Sequence, residues 1–257
     1  MTTVLVTGAS SGIGAVYARR FAARGHNLVL VARATDRLNA LAAELRNVHG
    51  VRVEVITADL TDGAQIDKVG QRLRSDPSID ILVNNAGAAL VGGFATAEPV
   101  EMYKLLSLNV LAPTMLASAV IGGIVERGQG AIINIASVLA LLPEYAPGIY
   151  AATKSYLMTL SQSLAAEVAS KGVYVQAVLP AVTRTEIFEG SGVDINQLSG
   201  VMEVDDLVDA ALVGFDRKEF VTIPPVPDVT AWEAFEQARG VLASGFGNAE
   251  PAPRYRA

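Results

Sequence analysis

The chain has 257 residues, enough for a large core in one α/β domain. Its net charge of −6 argues against a nucleic-acid surface and an anionic membrane, and the lack of cysteine excludes disulfides, thiolate catalysis and Cys-type zinc sites. Hydrophobic residues make up 51% and charged ones 18%, a balance suited to a parallel sheet buried on both faces.

Short apolar, β-branched runs alternate with longer helical patterns from the start of the chain. "TVLVT" (3–7) predicts a first strand, followed by a glycine-rich turn and a helix over 12–24. Further strands are expected at 27–32, 52–58, 79–85, 130–137, 173–179 and 219–224. Helices are expected at 36–48, 62–75, 98–125, 149–171, 203–215 and 230–243. Alternation at this pace implies βαβ units. The expected fold is a single Rossmann-type domain over 1–257: a doubly wound parallel sheet of about seven strands, with helices on both faces.

Several segments carry their own expectations. The N-terminus lacks a basic region and a long apolar run, so no signal peptide is read there and a cytoplasmic location is expected. Residues 105–125 are uncharged over a span long enough for a membrane. Asn109, Pro113, Thr114, Ser118 and a Gly-Gly pair within it point instead to a helix buried between the sheet and a partner subunit. His26 and His49 lie near helix ends without metal-ligand spacing and read as surface residues. The stretch over 183–200 has little periodicity and follows a strand's carboxyl end, the pattern of a substrate lid, with Gly190, Gly192 and Gly200 as hinges. The last residues, 228–257, form an extension ending in a Pro-rich irregular tail.

Two motifs carry chemistry. "TGASSGIG" (7–14) places Gly8, Gly12 and Gly14 between a strand and a helix, where backbone can approach a ligand and the helix N-terminus favours a pyrophosphate. "YAATK" (150–154) sets Tyr150 and Lys154 one helical turn apart on one face. A free phenol titrates near 10, and a cation beside it in a poorly solvated cleft stabilises the phenolate. A catalytic acid works best with its pKa nearer the operating pH.

These motifs, with "NNAG" at 84–87, an isolated Asn109 and Ser137 after the fifth strand, resemble the short-chain dehydrogenase/reductase family over nearly the whole chain. The resemblance implies that Tyr150 is the general acid and that Lys154 lowers its pKa and holds the nicotinamide ribose. It implies that Ser137 bonds the substrate oxygen and that Asn109 holds a water in a proton relay. It places the cofactor against Gly8, Ser10, Ser11, Gly12, Ile13 and Gly14 of the first turn. Further contacts are implied from Asp59 and Leu60, from Asn85, Ala86 and Gly87, and from Pro180, Val182, Thr183 and Thr185. Asn84 is expected to be mainly structural, and Asp59 reads nearly as well as a turn acid.

Cofactor choice rests on the end of the second strand. An acid there would hold the 2′-OH of NAD, but Ala32 occupies that place. Arg33 beside it suits the 2′-phosphate of NADP(H), with Ser11 and Arg37 as helpers. Two departures from the family pattern stand out. Ala181 replaces the usual glycine after the sixth strand, and the usual "DGG" after the seventh is absent, which leaves a tetramer in doubt. A homodimer through the long helices is expected.

The expected activity is NADPH-dependent reduction of a neutral ketone or aldehyde, reversible as an alcohol dehydrogenase. The segments 89–94, 138–145 and 186–192 are expected to line the substrate pocket. A 3-oxoacyl thioester reductase is the alternative of the same class. A non-catalytic nucleotide-sensing protein is the alternative of another class.

Overall fold

In the computed structural model, β1 (Thr3–Thr7) and β2 (Asn27–Ala32) are apolar runs, and their side chains alternate between two faces. Val4, Val6, Leu28 and Leu30 point to one side, and Leu5, Val29 and Val31 to the other. The structure describes residues 2–90, 93–145, 148–188 and 194–256, the Phe188 side chain excepted. The chain divides into two compact units, Met1–Pro224 and Pro225–Ala257.

In the first unit β3 (Val53–Thr57), β4 (Ile79–Asn84), β5 (Gly130–Ile135), β6 (Val173–Val178) and β7 (Val221–Thr222) complete a seven-stranded parallel sheet. Its order is β3-β2-β1-β4-β5-β6-β7. On one face, α1 (Gly12–Ala23), α2 (Thr35–His49) and α7 (Val204–Asp216) bury Phe21, Leu38, Leu45 and Leu212. On the other, α3 (Gly63–Ser75), α5 (Ala112–Glu126) and α6 (Tyr150–Val168) bury Val69, Leu116, Ile124 and Val168. Each such side chain contributes about 1.5–3 kcal/mol by leaving water. This is the Rossmann-type fold expected from the strand–helix rhythm. The order reverses between β1 and β4, so their carboxyl ends frame the crevice where doubly wound sheets bind ligands.

Three elements differ from expectation. The long helix over 98–125 is α4 (Pro99–Leu106), a π-helical turn at Ser107–Leu111, then α5. Periodicity cannot reveal one extra residue in a turn, and such turns often sit at functional sites. The stretch Pro99–Glu126 is apolar enough to cross a membrane by length and composition, yet Leu116, Ala117, Val120 and Ile124 pack into the core. The seventh strand shrinks to Val221–Thr222, because only Ala177 and Val178 of β6 face it. His26 is half-buried against Phe21 and hydrogen-bonds the Thr2 hydroxyl, so it is not the surface residue expected; His49 is exposed.

The second unit holds α8 (Thr230–Ala243), none of whose residues is buried, with Trp232 stacked on Phe235. The tail adds one short helical turn at Pro253–Tyr255.

Candidate active site

The glycine-rich turn closes β1 onto α1. Gly8 and Gly12 have φ of +65° and +51°, in the left-handed region that favours glycine. A Cβ on Gly14 would lie 2.4 Å from the Gly8 carbonyl oxygen, so only glycine lets the first turn of α1 settle there. Thr7, missed by sequence reasoning, is the hub of this corner. Its buried hydroxyl donates to the Val83 carbonyl at 3.2 Å and accepts from the Asn85 and Ala86 amides, each at 3.0 Å. The Asn85 side chain donates to the Thr7 and Gly8 carbonyls at 2.8 and 3.3 Å. Asn85 thus spends its side chain on the turn.

Below this corner lies a buried polar chain. Asn84 Nδ2 donates to Asn134 Oδ1 at 3.0 Å, and Asn134 Nδ2 donates to Ser161 Oγ at 2.8 Å. Asn84 is structural, as expected. Asn134, a polar residue in the apolar run "GAIINI", was the overlooked signal of its partner.

The expected tetrad converges at the carboxyl ends of β4 and β5. Lys154 is buried, and its Nζ lies 5.8 Å from the Tyr150 ring centroid and donates to the Ile135 carbonyl at 2.8 Å. Ser137 Oγ accepts from the Leu139 amide at 3.2 Å and lies 3.4 Å from the Pro180 carbonyl, to which it donates. A Cβ on Gly87 would lie 3.4 Å from Asn109 Oδ1 and 3.5 Å from Lys154 Nζ. Glycine there brings the end of β4 up to the tetrad.

Asn109 sits in the π turn, with three hydrogen bonds to its side-chain amide. Oδ1 accepts from the Ala88 amide at 3.0 Å, while Nδ2 donates to the Ala88 carbonyl at 2.9 Å and to Thr153 Oγ1 at 3.0 Å. Thr153 in turn donates to the Tyr150 carbonyl at 2.7 Å. The Asn109 side chain therefore anchors the segment after β4 to the first turn of α6.

Burial dominates the electrostatics of this pair. Burial pushes the Tyr150 phenol up to about 12, and a Ser137 hydrogen bond only partly offsets this. Burial pulls Lys154 down to about 8. The Lys154 ammonium is turned to the Ile135 carbonyl. At neutral pH this burial leaves Tyr150 a protonated donor beside a cation.

The remaining predicted contacts surround the same crevice. Ser10 and Ile13 are half-buried at the glycine-rich turn. Leu60 buries its side chain in the core, leaving only backbone for a ligand. Asp59 Oδ1 accepts from the Thr61 amide at 2.9 Å and hydroxyl at 2.8 Å, which hold its carboxyl below the usual range, as a turn acid. Arg33 is exposed just past β2, and its charge also helps to lower Asp59.

After β6 the Pro180 carbonyl accepts from the Val138 amide at 2.9 Å, and a parallel bridge joins Thr183 to Met202. Through the Val182 carbonyl and the Arg184 amide, this bridge pins both ends of the expected lid. Ala181 takes no positive φ, so its methyl group is accepted without strain. The Thr185 side chain lies 3.5 Å from where a Gly12 Cβ would stand. Gly190 and Gly192, and parts of the stretches 89–94 and 186–192, lie outside the described residues.

A cleft of about 350 Å³ borders this turn, lined by Ser10, Ser11, Gly12, Arg184, Thr185 and Glu186 among others. A close-approach glycine turn, half-buried serine hydroxyls and an adjacent arginine fit a phosphorylated dinucleotide, with Lys154 at the end that meets the tetrad.

Comparisons with known proteins agree with this geometry. A short-chain dehydrogenase from Sphingobium yanoikuyae, solved in complex with NADPH, is 55% identical, with TM-score 0.97 and full coverage of both chains. A bulky-bulky ketone specific alcohol dehydrogenase from Comamonas testosteroni is 49% identical, with TM-score 0.93, covering 100% of this chain and 99% of that one. The very-long-chain 3-oxoacyl-CoA reductase of Mus musculus is 35% identical over 187 residues, 71% of this chain and 60% of that protein. The chain spans 56–60% of the length of the curated relatives it matches. The short chain dehydrogenase family model matches residues 2–195, and with the glycine-rich turn and the Tyr150–Lys154 pair in place the chain belongs to the short chain dehydrogenase family.

Proposed function

We propose that the chain is an NADPH-dependent carbonyl reductase acting reversibly on neutral ketones or aldehydes. One observation carries the reading: the Tyr150 phenol, a buried Lys154 and the Ser137 hydroxyl meet beside a turn that only glycines can form. NADPH, when bound, supplies the hydride that no side chain can provide. Ser10, Ser11 and Arg33 would hold its phosphates, and Lys154 its nicotinamide ribose. Tyr150 then donates its phenolic proton to the carbonyl oxygen as the carbon is reduced, while the Ser137 hydroxyl orients that oxygen. Lys154 stabilises the phenolate left behind, and the Thr153–Asn109 pair keeps the first turn of α6 in register.

The full-length likeness to a bulky-bulky ketone specific alcohol dehydrogenase supports a ketone with two sizeable substituents. The likeness to a 3-oxoacyl-CoA reductase supports thioester reduction as a second reading. A dimer belongs to the same proposal. Leu111 and Met115 of the α4–α5 arm are exposed beside Tyr156 of α6, whose hydroxyl lies 2.9 Å from Thr114 Oγ1. NADPH consumption measured with a ketone panel and with acetoacetyl thioesters tests the reading. Turnover of ketones above thioesters is expected; turnover of neither contradicts it and favours a nucleotide-sensing role.

A further inference from the structure

Ser11 and Arg37, the two helpers expected beside Arg33 at a 2′-phosphate, are already engaged by an anion of the chain itself. Glu186, in a short helical turn at Glu186–Phe188 after β6, reaches across to the glycine-rich turn and α2. Its carboxylate accepts from Ser11 Oγ at 2.9 Å and from Arg37 Nη1 at 2.8 and 2.9 Å. Thr185, packed toward Gly12, and the cleft beside Ser10, Ser11 and Arg184 place this contact at the cofactor turn. Ser11 and then Arg37 hold the Glu186 carboxyl below its usual range, so it is an anion throughout the neutral region. The pair is half-exposed, so water screens it and it contributes only weakly to the fold.

We infer that Glu186 is a specificity-determining residue that competes with the 2′-phosphate of NADPH for Ser11 and Arg37, and so couples the 2′ end of the cofactor to the segment after β6. This rests on the NADPH reading above. A phosphate monoester carries about −1.5 to −2 at neutral pH and three strong acceptor oxygens, so it outcompetes one carboxylate for the same donors. With the phosphate on Arg37, Glu186 faces a like charge and withdraws, taking the Thr185–Phe188 stretch with it. NADH has no phosphate at that position and leaves Glu186 in place. The penalty thus falls on the phosphorylated cofactor alone.

Calorimetric titration of the full chain with 2′,5′-ADP and with 5′-ADP tests this without turnover. Wild type is expected to bind 2′,5′-ADP more tightly than 5′-ADP. Glu186→Gln is expected to bind 2′,5′-ADP about three- to tenfold more tightly than wild type, with 5′-ADP within about twofold. In an Arg37→Ala background, the gain from Glu186→Gln is expected to shrink, since the contested donor is gone. If wild type prefers 2′,5′-ADP but Glu186→Gln leaves it unchanged, or tightens both ligands alike, competition is refuted while the NADPH reading stands. If wild type does not distinguish the two ligands, the NADPH reading fails and the competition with it.

Discussion

Thr7 offers a direct probe of how the sheet builds the site. It is 1% exposed, and its hydroxyl accepts two backbone N–H groups, from Asn85 and Ala86, each at 3.0 Å. Thr7→Val keeps the shape and removes the acceptor. Each N–H left without a partner costs about 1–3 kcal/mol when buried. Asn85 and Ala86 are only half-buried, so the lower part of that range applies. The expected destabilisation is about 2–4 kcal/mol, which lowers the thermal midpoint of a chain this size by roughly 4–16 °C. Thr7→Ser retains the hydroxyl and loses one methyl, about 1 kcal/mol. Thermal melts of the three proteins by circular dichroism separate the terms. Because Asn85–Gly87 would loosen against the glycine-rich turn, Thr7→Val is also expected to weaken NADPH binding where Thr7→Ser does not. A Thr7→Val protein as stable as Thr7→Ser would refute the hydrogen-bond account of this corner.

Arg33→Ala is expected to weaken NADPH binding about ten- to a hundredfold and to leave NADH binding nearly unchanged, since a charge-assisted contact contributes about 1.5–3 kcal/mol. An unchanged ratio of kcat/KM for the two cofactors would make Arg33 a surface arginine only. Burial lowers the Lys154 pKa to about 8 from 10.5, so the unfolded chain holds the extra proton between those values and stability from this group rises with pH across that window. Lys154→Met is therefore expected to gain more stability over wild type at pH 7 than near pH 10, read from urea unfolding at both. An equal gain at both would contradict the burial argument.

The fold was legible because parallel strands covered on both faces read as apolar runs with helical patterns between them. The Tyr150–Lys154 pair was legible because its spacing is local, and Ser137 because it follows a strand. Pairings distant in sequence were not. Thr7 meets Asn85 and Asn84 meets Asn134 only after the strands fall into register. The π turn that orients Asn109 adds one residue to a stretch that is apolar on nearly every face, so the shift in phase leaves no mark in the pattern. Glu186 finds Ser11 and Arg37 across the crevice, and no spacing rule connects residues 11, 37 and 186. The pKa direction at Tyr150 depends on burial, which the YxxxK spacing does not encode.

The central claim is that Tyr150 delivers the proton in an NADPH-dependent carbonyl reduction. Tyr150→Phe removes only the phenolic hydroxyl. The measurement is NADPH oxidation by wild type and Tyr150→Phe with a ketone that wild type reduces, alongside the NADPH dissociation constant of each. The account predicts that Tyr150→Phe folds, binds NADPH with an affinity close to wild type, and loses about a hundred- to ten-thousandfold in kcat. Turnover close to wild type in a correctly folded, NADPH-binding Tyr150→Phe protein would contradict it.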